Sequence, residues 1–173
     1  MITNIFTAFY KTNKEQIQFN RIIFASRDIE NVNIPSNIEQ IDSFSFSNCN
    51  SIESIEFSED SRLTKIGSEA FSYSSIEQIN IPSTVTEISE GAFIYCHNLK
   101  SVFFNENSQM KSIGKYVFAN SSLESINIPK NIVEFQEGWC IGLSKLNKIS
   151  ISLLNHNFQY INDQIIIGKL NEN

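Results

Sequence analysis

The sequence predicts an α/β solenoid of about six to seven turns with little true helix, and three observations carry that prediction. The first is proline spacing. Pro35, Pro82 and Pro129 are the only prolines among the 173 residues and stand 47 apart, twice over. A fixed period of this length marks a stack of repeated coils before any local reading begins. The second is a strand-like hexamer, repeated at 29–34, 52–57, 76–81, 99–104, 123–128 and 146–151, with starts separated by 23, 24, 23, 24 and 23 residues. The third is an excess of isoleucine, 28 copies against 8 leucines, since β-branched side chains suit a pleated, half-buried surface.

Taken in order, residues 1–28 read as an N-terminal cap. Ile2, Ile5, Phe6 and Phe9 fall at helical spacing, and IQFNRIIF (17–24) suits a strand. A solenoid must cover its open end. Residues 29–151 are the repeats, and two kinds of turn alternate. One leaves its hexamer through Ile-Pro into SNIEQI, STVTEI or KNIVEF; the other leaves through Phe into SEDSRLTKIG or NENSQMKSIG. Proline suits a strand exit because it cannot donate to a continuing ladder.

Beyond each hexamer lies a second apolar anchor: Ile41, Ile66, Ile88, Ile113 or Phe135. Five residues on comes an aromatic in four of the five turns, at Phe46, Phe71, Phe93 and Phe118. Eight residues on stands Cys49, Ser74, Cys96, Ser121 or Leu143. Each turn is expected to contribute a strand, a bend, a short helical or 3-10 piece carrying the aromatic, and a return. Residues 152–173 follow, where FQYI-ND-QIII looks like a β-hairpin that closes the stack or leads into a further segment.

This pattern resembles the leucine-rich-repeat superfamily, and within it the BspA-like branch. The residues that carry the likeness are IEQINIPSTVTEISEGAFIYC and LTKIGSEAF, and the pattern covers 29–151. The resemblance implies a right-handed solenoid with a parallel β-sheet on the concave face and short helical or 3-10 segments on the convex face. It also implies recognition of proteins or surfaces rather than catalysis, since members are often surface or adhesion proteins. Trp139 and Cys140 depart from the Ala-Phe pair, so Trp139 is expected to fill the volume that phenylalanine fills elsewhere.

Composition excludes other classes. A net charge of −6, with no basic stripe, argues against nucleic acid or an anionic membrane as partner. The opening MITNIFTAFYK lacks the charged start and full apolar core of a secretory signal. No stretch approaches the ~20 apolar residues of a membrane span. As given, the chain therefore reads as soluble and cytoplasmic, although the family it resembles is often at the cell surface. An Asn-Ser-Ser sequon at Asn120 matters only in a glycosylating compartment.

No catalytic, cofactor or metal site is expected. Three cysteines are too sparse for a disulfide framework. Cys49 and Cys96 share a phase that serine also occupies, which reads as packing of a small side chain in a bend; Cys140 is out of phase and reads as core filler. His97 follows Cys96, and neighbours in a bend point different ways, so they do not make a nucleophile–base pair. His97 and His156 with the cysteines do not form a zinc cluster. Phosphate-loop, nucleophile-elbow and zincin motifs are absent.

The functional candidates come from strand geometry. In each hexamer the first, fourth and sixth residues point inward and the third and fifth point outward. The outward pairs are Asn31/Asn33, Ser54/Glu56, Gln78/Asn80, Ser101/Phe103, Ser125/Asn127 and Lys148/Ser150. They make a short, polar, almost uncharged face with one aromatic in it. Phe103 is either an interface anchor or a single exposed phenylalanine on a solubilising surface. The leading expectation is a non-enzymatic module binding a protein or glycan through this face near Phe103. A structural or spacer solenoid comes second, with end-to-end self-association where a cap is poor, and an enzyme third.

Overall fold

The computed structural model describes residues 19–161 and 165–168. Its strands are of two lengths. Two-residue strands are β1 (Arg21–Ile22), β3 (Gln40–Ile41), β5 (Lys65–Ile66), β7 (Glu87–Ile88), β9 (Ser112–Ile113) and β11 (Glu134–Phe135). Four-residue strands alternate with them as β2 (Asn31–Ile34), β4 (Ser54–Phe57), β6 (Gln78–Ile81), β8 (Ser101–Phe104), β10 (Ser125–Ile128) and β12 (Lys148–Ile151). An antiparallel pair, β13 (Phe158–Ile161) and β14 (Ile165–Gly168), follows. The result is a parallel-strand solenoid of about six turns. Each four-residue strand is the tail of a predicted hexamer, and each two-residue strand after β1 ends on a predicted anchor. The expected N-terminal helix spacing (Ile2 to Phe9) lies outside the described residues.

Alternation of burial follows the pleat. In β2 and β6 the pattern is exposed, buried, exposed, buried, so Val32, Ile34, Ile79 and Ile81 meet the core while their neighbours face out. No single coil closes this core. Ile41, Ile66, Ile88 and Ile113 stack from turn to turn with at most 4 % of their surface exposed. Beside them Phe46, Phe71, Phe93 and Phe118 form a column, with ring centroids 5.0, 5.2 and 5.8 Å apart and planes within 20° of parallel. That spacing is close to the strand separation of a sheet, so the column is the repeat read out in aromatic rings.

The expected helical or 3-10 segments after the anchors are not found: the described residues contain no helix. The backbone explains the correction. Each turn carries two left-handed residues four apart, Phe44 and Asn48, Glu69 and Tyr73, Gly91 and Tyr95, Tyr116 and Asn120, Gly138 and Gly142. A left-handed residue interrupts a right-handed helix. Between them, N–H groups alternate their targets. Ser72 and Ser74 donate within the turn to Glu69 and Phe71, while Glu69, Phe71 and Tyr73 donate to Glu90, Ala92 and Ile94 of the next turn. Half of the bonds that a helix would keep are thus spent on stacking coils.

The four-residue ladder is not continuous, and its breaks follow the sequence period. Where hexamers start 23 residues apart, all four residues pair: β2 with β4, β6 with β8, β10 with β12. Where the spacing is 24, pairing fails. Strands β8 and β10 pair only at Ser101↔Ser125 and Val102↔Ile126, and no ladder joins β4 to β6. The two-residue ladder has its own interruption, between β7 and β9.

One buried side chain ties the segment after β12 to the preceding coil. Asn155 stands 47 residues after Ser108 and 94 after Ser61, and it is buried. Its Nδ2 donates to Pro129 O (3.0 Å) and Ile132 O (3.1 Å), and its Oδ1 accepts from the N–H groups of Asn157 and Phe158. Serine at Ser61 and Ser108 makes only the local turn bond. Asn155→Ala is therefore expected to destabilise the protein by about 1–3 kcal/mol, the cost of orphaning buried polar groups, and to raise hydrogen exchange first at Phe158. Urea unfolding with exchange mapping checks both. Beside it Leu153 and Leu154, 99 % and 62 % exposed, occupy the places of Glu59-Asp60 and Glu106-Asn107.

The fifth turn is repacked around Trp139. Its ring lies 4.9 Å from Phe135, which in turn meets Phe158 edge-on at 4.7 Å. Cys140 departs from its expected role as core filler: it is exposed. Its neighbour Trp139 packs against the core instead.

Candidate functional recognition face

The twelve residues expected to face outward do lie on the outward side of the four-residue strands. Asn31, Asn33, Glu56, Gln78, Asn80, Phe103, Lys148 and Ser150 are exposed; Ser54, Ser101, Ser125 and Asn127 are half-buried. Strand register sets which are neighbours. Asn31 sits beside Ser54 and Asn33 beside Glu56; Gln78 sits beside Ser101 and Asn80 beside Phe103; Ser125 sits beside Lys148 and Asn127 beside Ser150.

Several of these groups are already engaged. Ser54 Oγ donates to Asn31 Oδ1 at 2.7 Å, and the hydroxyls of Ser101 and Ser125 are 3.1 Å apart. Asn127 is turned into the fold: its Nδ2 donates to Phe104 O at 2.8 Å and its Oδ1 accepts from Phe104 N–H at 3.0 Å. That amide completes the half-paired junction of β8 and β10. It is a structural group before it is a recognition group.

Of the remaining outward polar groups, Glu56 and Asn80 border the β4/β6 break. A groove of about 570 Å³ lies there, walled by Glu56, Phe57, Asn80, Ile81 and Phe103. The strand-exit loops close its end with Ser58, Glu59, Ser83, Thr84 and Asn105. Glu56 also borders a second groove of about 580 Å³ with Asn33, Pro35 and Asn37. Phe103 is 46 % exposed, and the lining of the first groove carries two carboxylates and no cation. The exit-loop residues were not predicted. Their signal in the sequence was the extra residue in each 24-residue spacing, which is legible only once its effect on pairing is known.

Inside the turns the cysteines behave as packed small residues. Cys49 and Cys96 are fully buried, and Cys96 Sγ donates to Phe71 O at 3.0 Å. His97 points away from Cys96, outward, to the rings of Tyr73 and Tyr95, which stack at 4.7 Å. Among the described residues there is no group of three or more His, Cys, Asp or Glu side chains able to hold a metal ion.

Burial pushes the Cys96 thiol up to about 12 from an ordinary value of 9.0, against the opposing pull of Ser74. The native state thus keeps its proton where the unfolded chain loses it. Stability is full below pH 9 and declines as pH rises from 9 toward 12. Cys96→Ser, with the residue that neighbouring turns carry, is expected to remove that part of the alkaline decline. Urea midpoints at about pH 8 and about pH 10.5, compared between variant and wild type, measure it.

Comparison with known proteins agrees with this architecture. The family model described as BspA type leucine rich repeat region matches six copies over residues 17–147. Among solved structures, the pneumococcal vaccine antigen PcpA is similar at 28 % identity and a TM-score of 0.76, over 81 % of this chain and 34 % of that one. A leucine-rich repeat protein from Eubacterium ventriosum is similar at 26 % identity and a TM-score of 0.67, over 83 % and 37 %. A leucine rich cell surface protein from Faecalibacterium prausnitzii, at 21 % identity and a TM-score of 0.60 over 83 % and 43 %, shares the fold. The chain thus spans less than half the length of each of these proteins. No curated protein matches it significantly.

Proposed function

The chain belongs to the BspA-type leucine-rich-repeat family, and from that premise we propose that it is a non-enzymatic recognition module. It engages a protein partner through the outward face of its four-residue strands, with Phe103 as the anchor. The observation that carries this reading is the groove of about 570 Å³ in which Phe103 meets Asn80 and Glu56. Elsewhere the outward face is polar, and an exposed aromatic beside a cleft is the kind of residue that concentrates binding energy. A glycan on the same face is the alternative ligand.

The test is capture from the native cell lysate and from its surface fraction, with wild type and Phe103→Ala side by side. Loss of about 2 kcal/mol or more of binding is expected for an anchor, roughly thirty-fold in affinity, with unchanged circular dichroism and melting. Equal capture by both proteins refutes Phe103 as the anchor. Using both fractions covers a cytoplasmic and a surface location alike; among the described residues no helix is long and apolar enough to cross a membrane.

A second reading, an assembly or spacer solenoid, is supported by the exposed Leu153 and Leu154 where the earlier turns carry acidic or amide residues. It predicts no capture by either protein and a mass that rises with concentration. Leu153→Glu with Leu154→Asp abolishes that rise on this reading.

A further inference from the structure

The molecule contains two junctions with a 24-residue spacing, and they are chemically equivalent. At β8/β10 the backbone of Phe104 is paired by the side-chain amide of Asn127, one bond in each direction, at 2.8 and 3.0 Å. At β4/β6 the residues 47 positions earlier are Phe57 and Asn80. Ser58 N–H donates back to Ile34 O at 3.1 Å. Successive strand residues direct their backbone groups to opposite sides, so Phe57 directs its N–H and C=O toward β6. No ladder meets them, and the Asn80 amide does not bond Phe57 in the way that the Asn127 amide bonds Phe104. Asn80 is exposed and Phe57 only half-buried, and both line the groove.

We propose that the β4/β6 break is a carboxamide-reading slot: it takes the Asn or Gln side chain of an extended partner segment, paired to Phe57 N–H and C=O as Asn127 is paired to Phe104. This rests on the outward face being the recognition surface, and it specifies what that surface reads. A primary carboxamide presents a donor and an acceptor side by side, which is what the backbone of one strand residue requires. A carboxylate offers no donor, and a hydrocarbon neither. Glu56 and Glu59 border the slot without a cation among the lining residues, so the segment carries Lys or Arg next to its amide residue. Phe103 forms the groove wall alongside and receives an apolar neighbour.

The test uses the whole protein and a synthetic probe, acetyl-Gly-Lys-Asn-Phe-Gly N-methylamide, with partners in which Asn is replaced by Leu or by Asp. Backbone amide resonances report binding. The Asn peptide is expected to shift Phe57 N–H saturably and to bind about tenfold more tightly than the Leu peptide, the scale of two net hydrogen bonds. In the free protein Phe57 N–H exchanges quickly and Phe104 N–H slowly, and Asn127→Ala releases Phe104 alone. Equal affinity of the Asn and Leu peptides overturns the proposal. So does slow exchange at Phe57 that Asn80→Ala abolishes, because the slot is then filled by the protein's own amide. If these fail while Phe103→Ala still loses the native partner, the slot falls and the recognition face stands. If the amide preference holds while Phe103→Ala captures the partner normally, the slot stands and Phe103 is not the anchor.

Discussion

Phe93→Ala is expected to cost about 3–5 kcal/mol of stability, the range for emptying a buried phenylalanine site. Phe93 is fully buried in the middle of the aromatic column, 5.2 Å from Phe71 and 5.8 Å from Phe118. The site cannot collapse to fill the void, because Phe71 N–H bonds Ala92 O at 2.8 Å and Phe93 N–H bonds Val117 O at 2.9 Å. Those bonds hold adjacent coils at a fixed separation. A second effect follows from the architecture. In a stack of coils stability is the sum of each coil and its two interfaces, so weakening a central coil uncouples the halves. Denaturant unfolding should become broader, with a lower m-value, as well as shifting its midpoint. A loss below about 1 kcal/mol would show that the column packs more loosely than its geometry indicates.

Gly67→Ala is the second large effect. A methyl group at Gly67 meets backbone atoms of the previous coil: Ser43 N at 2.5 Å, Asp42 C at 2.7 Å and Ile41 O at 3.0 Å. Gly67 N–H also bonds Ile41 O at 2.8 Å, so relief requires coils to part and that bond to lengthen. Overpacking of this kind costs about 1–3 kcal/mol or more, and here the upper end is expected because no flexible side chain absorbs the clash. Gly91→Ala is the control. Although φ at Gly91 is +62°, its nearest contact is the flexible Glu69 Cγ at 3.3 Å. The equivalent places in other turns hold Phe44, Glu69 and Tyr116 at φ of 51–61°. It should cost about 1 kcal/mol, the price of one left-handed L-residue. Thermal unfolding ranks the two, and equal losses would refute the close-approach argument.

Much of the fold was legible in the sequence because period 2 within a hexamer and period 47 between hexamers are both written in side-chain size and polarity. Val32, Ile79 and Phe71 could only be core at those phases. The Cys49/Cys96 position was legible for the same reason, since an alternation of Cys and Ser specifies volume more than chemistry. What hydrophobic patterning cannot encode is the handedness of a backbone turn. Tyr73, Tyr95 and Tyr116 adopt left-handed conformations although nothing in a tyrosine favours them; the inter-coil bonds select them, and so the expected helical segments became stacked turns. Asn127 was assigned to the outward face by the same alternation that serves its neighbours, and it does start there. Its amide then reaches Phe104, a bond that exists only because a 24-residue coil leaves the ladder short. Cys140 is exposed because the large ring of Trp139, one position earlier, takes the core side of that coil against Phe135.

The two interrupted ladders also give the solenoid a mechanical character. Between the second and third coils the four-residue ladder is missing while β5 and β7 remain paired; between the third and fourth the four-residue ladder is intact while β7 and β9 are not. Each of these two junctions is therefore held by one strand ladder and by the bonds between the aromatic turns, and the missing ladder changes from one junction to the next. A rod jointed in this way yields to bending in two opposed directions before it yields to tension. Load passing along the chain would be taken up as a change of curvature, with the grooved side opening at one joint and the opposite side at the next.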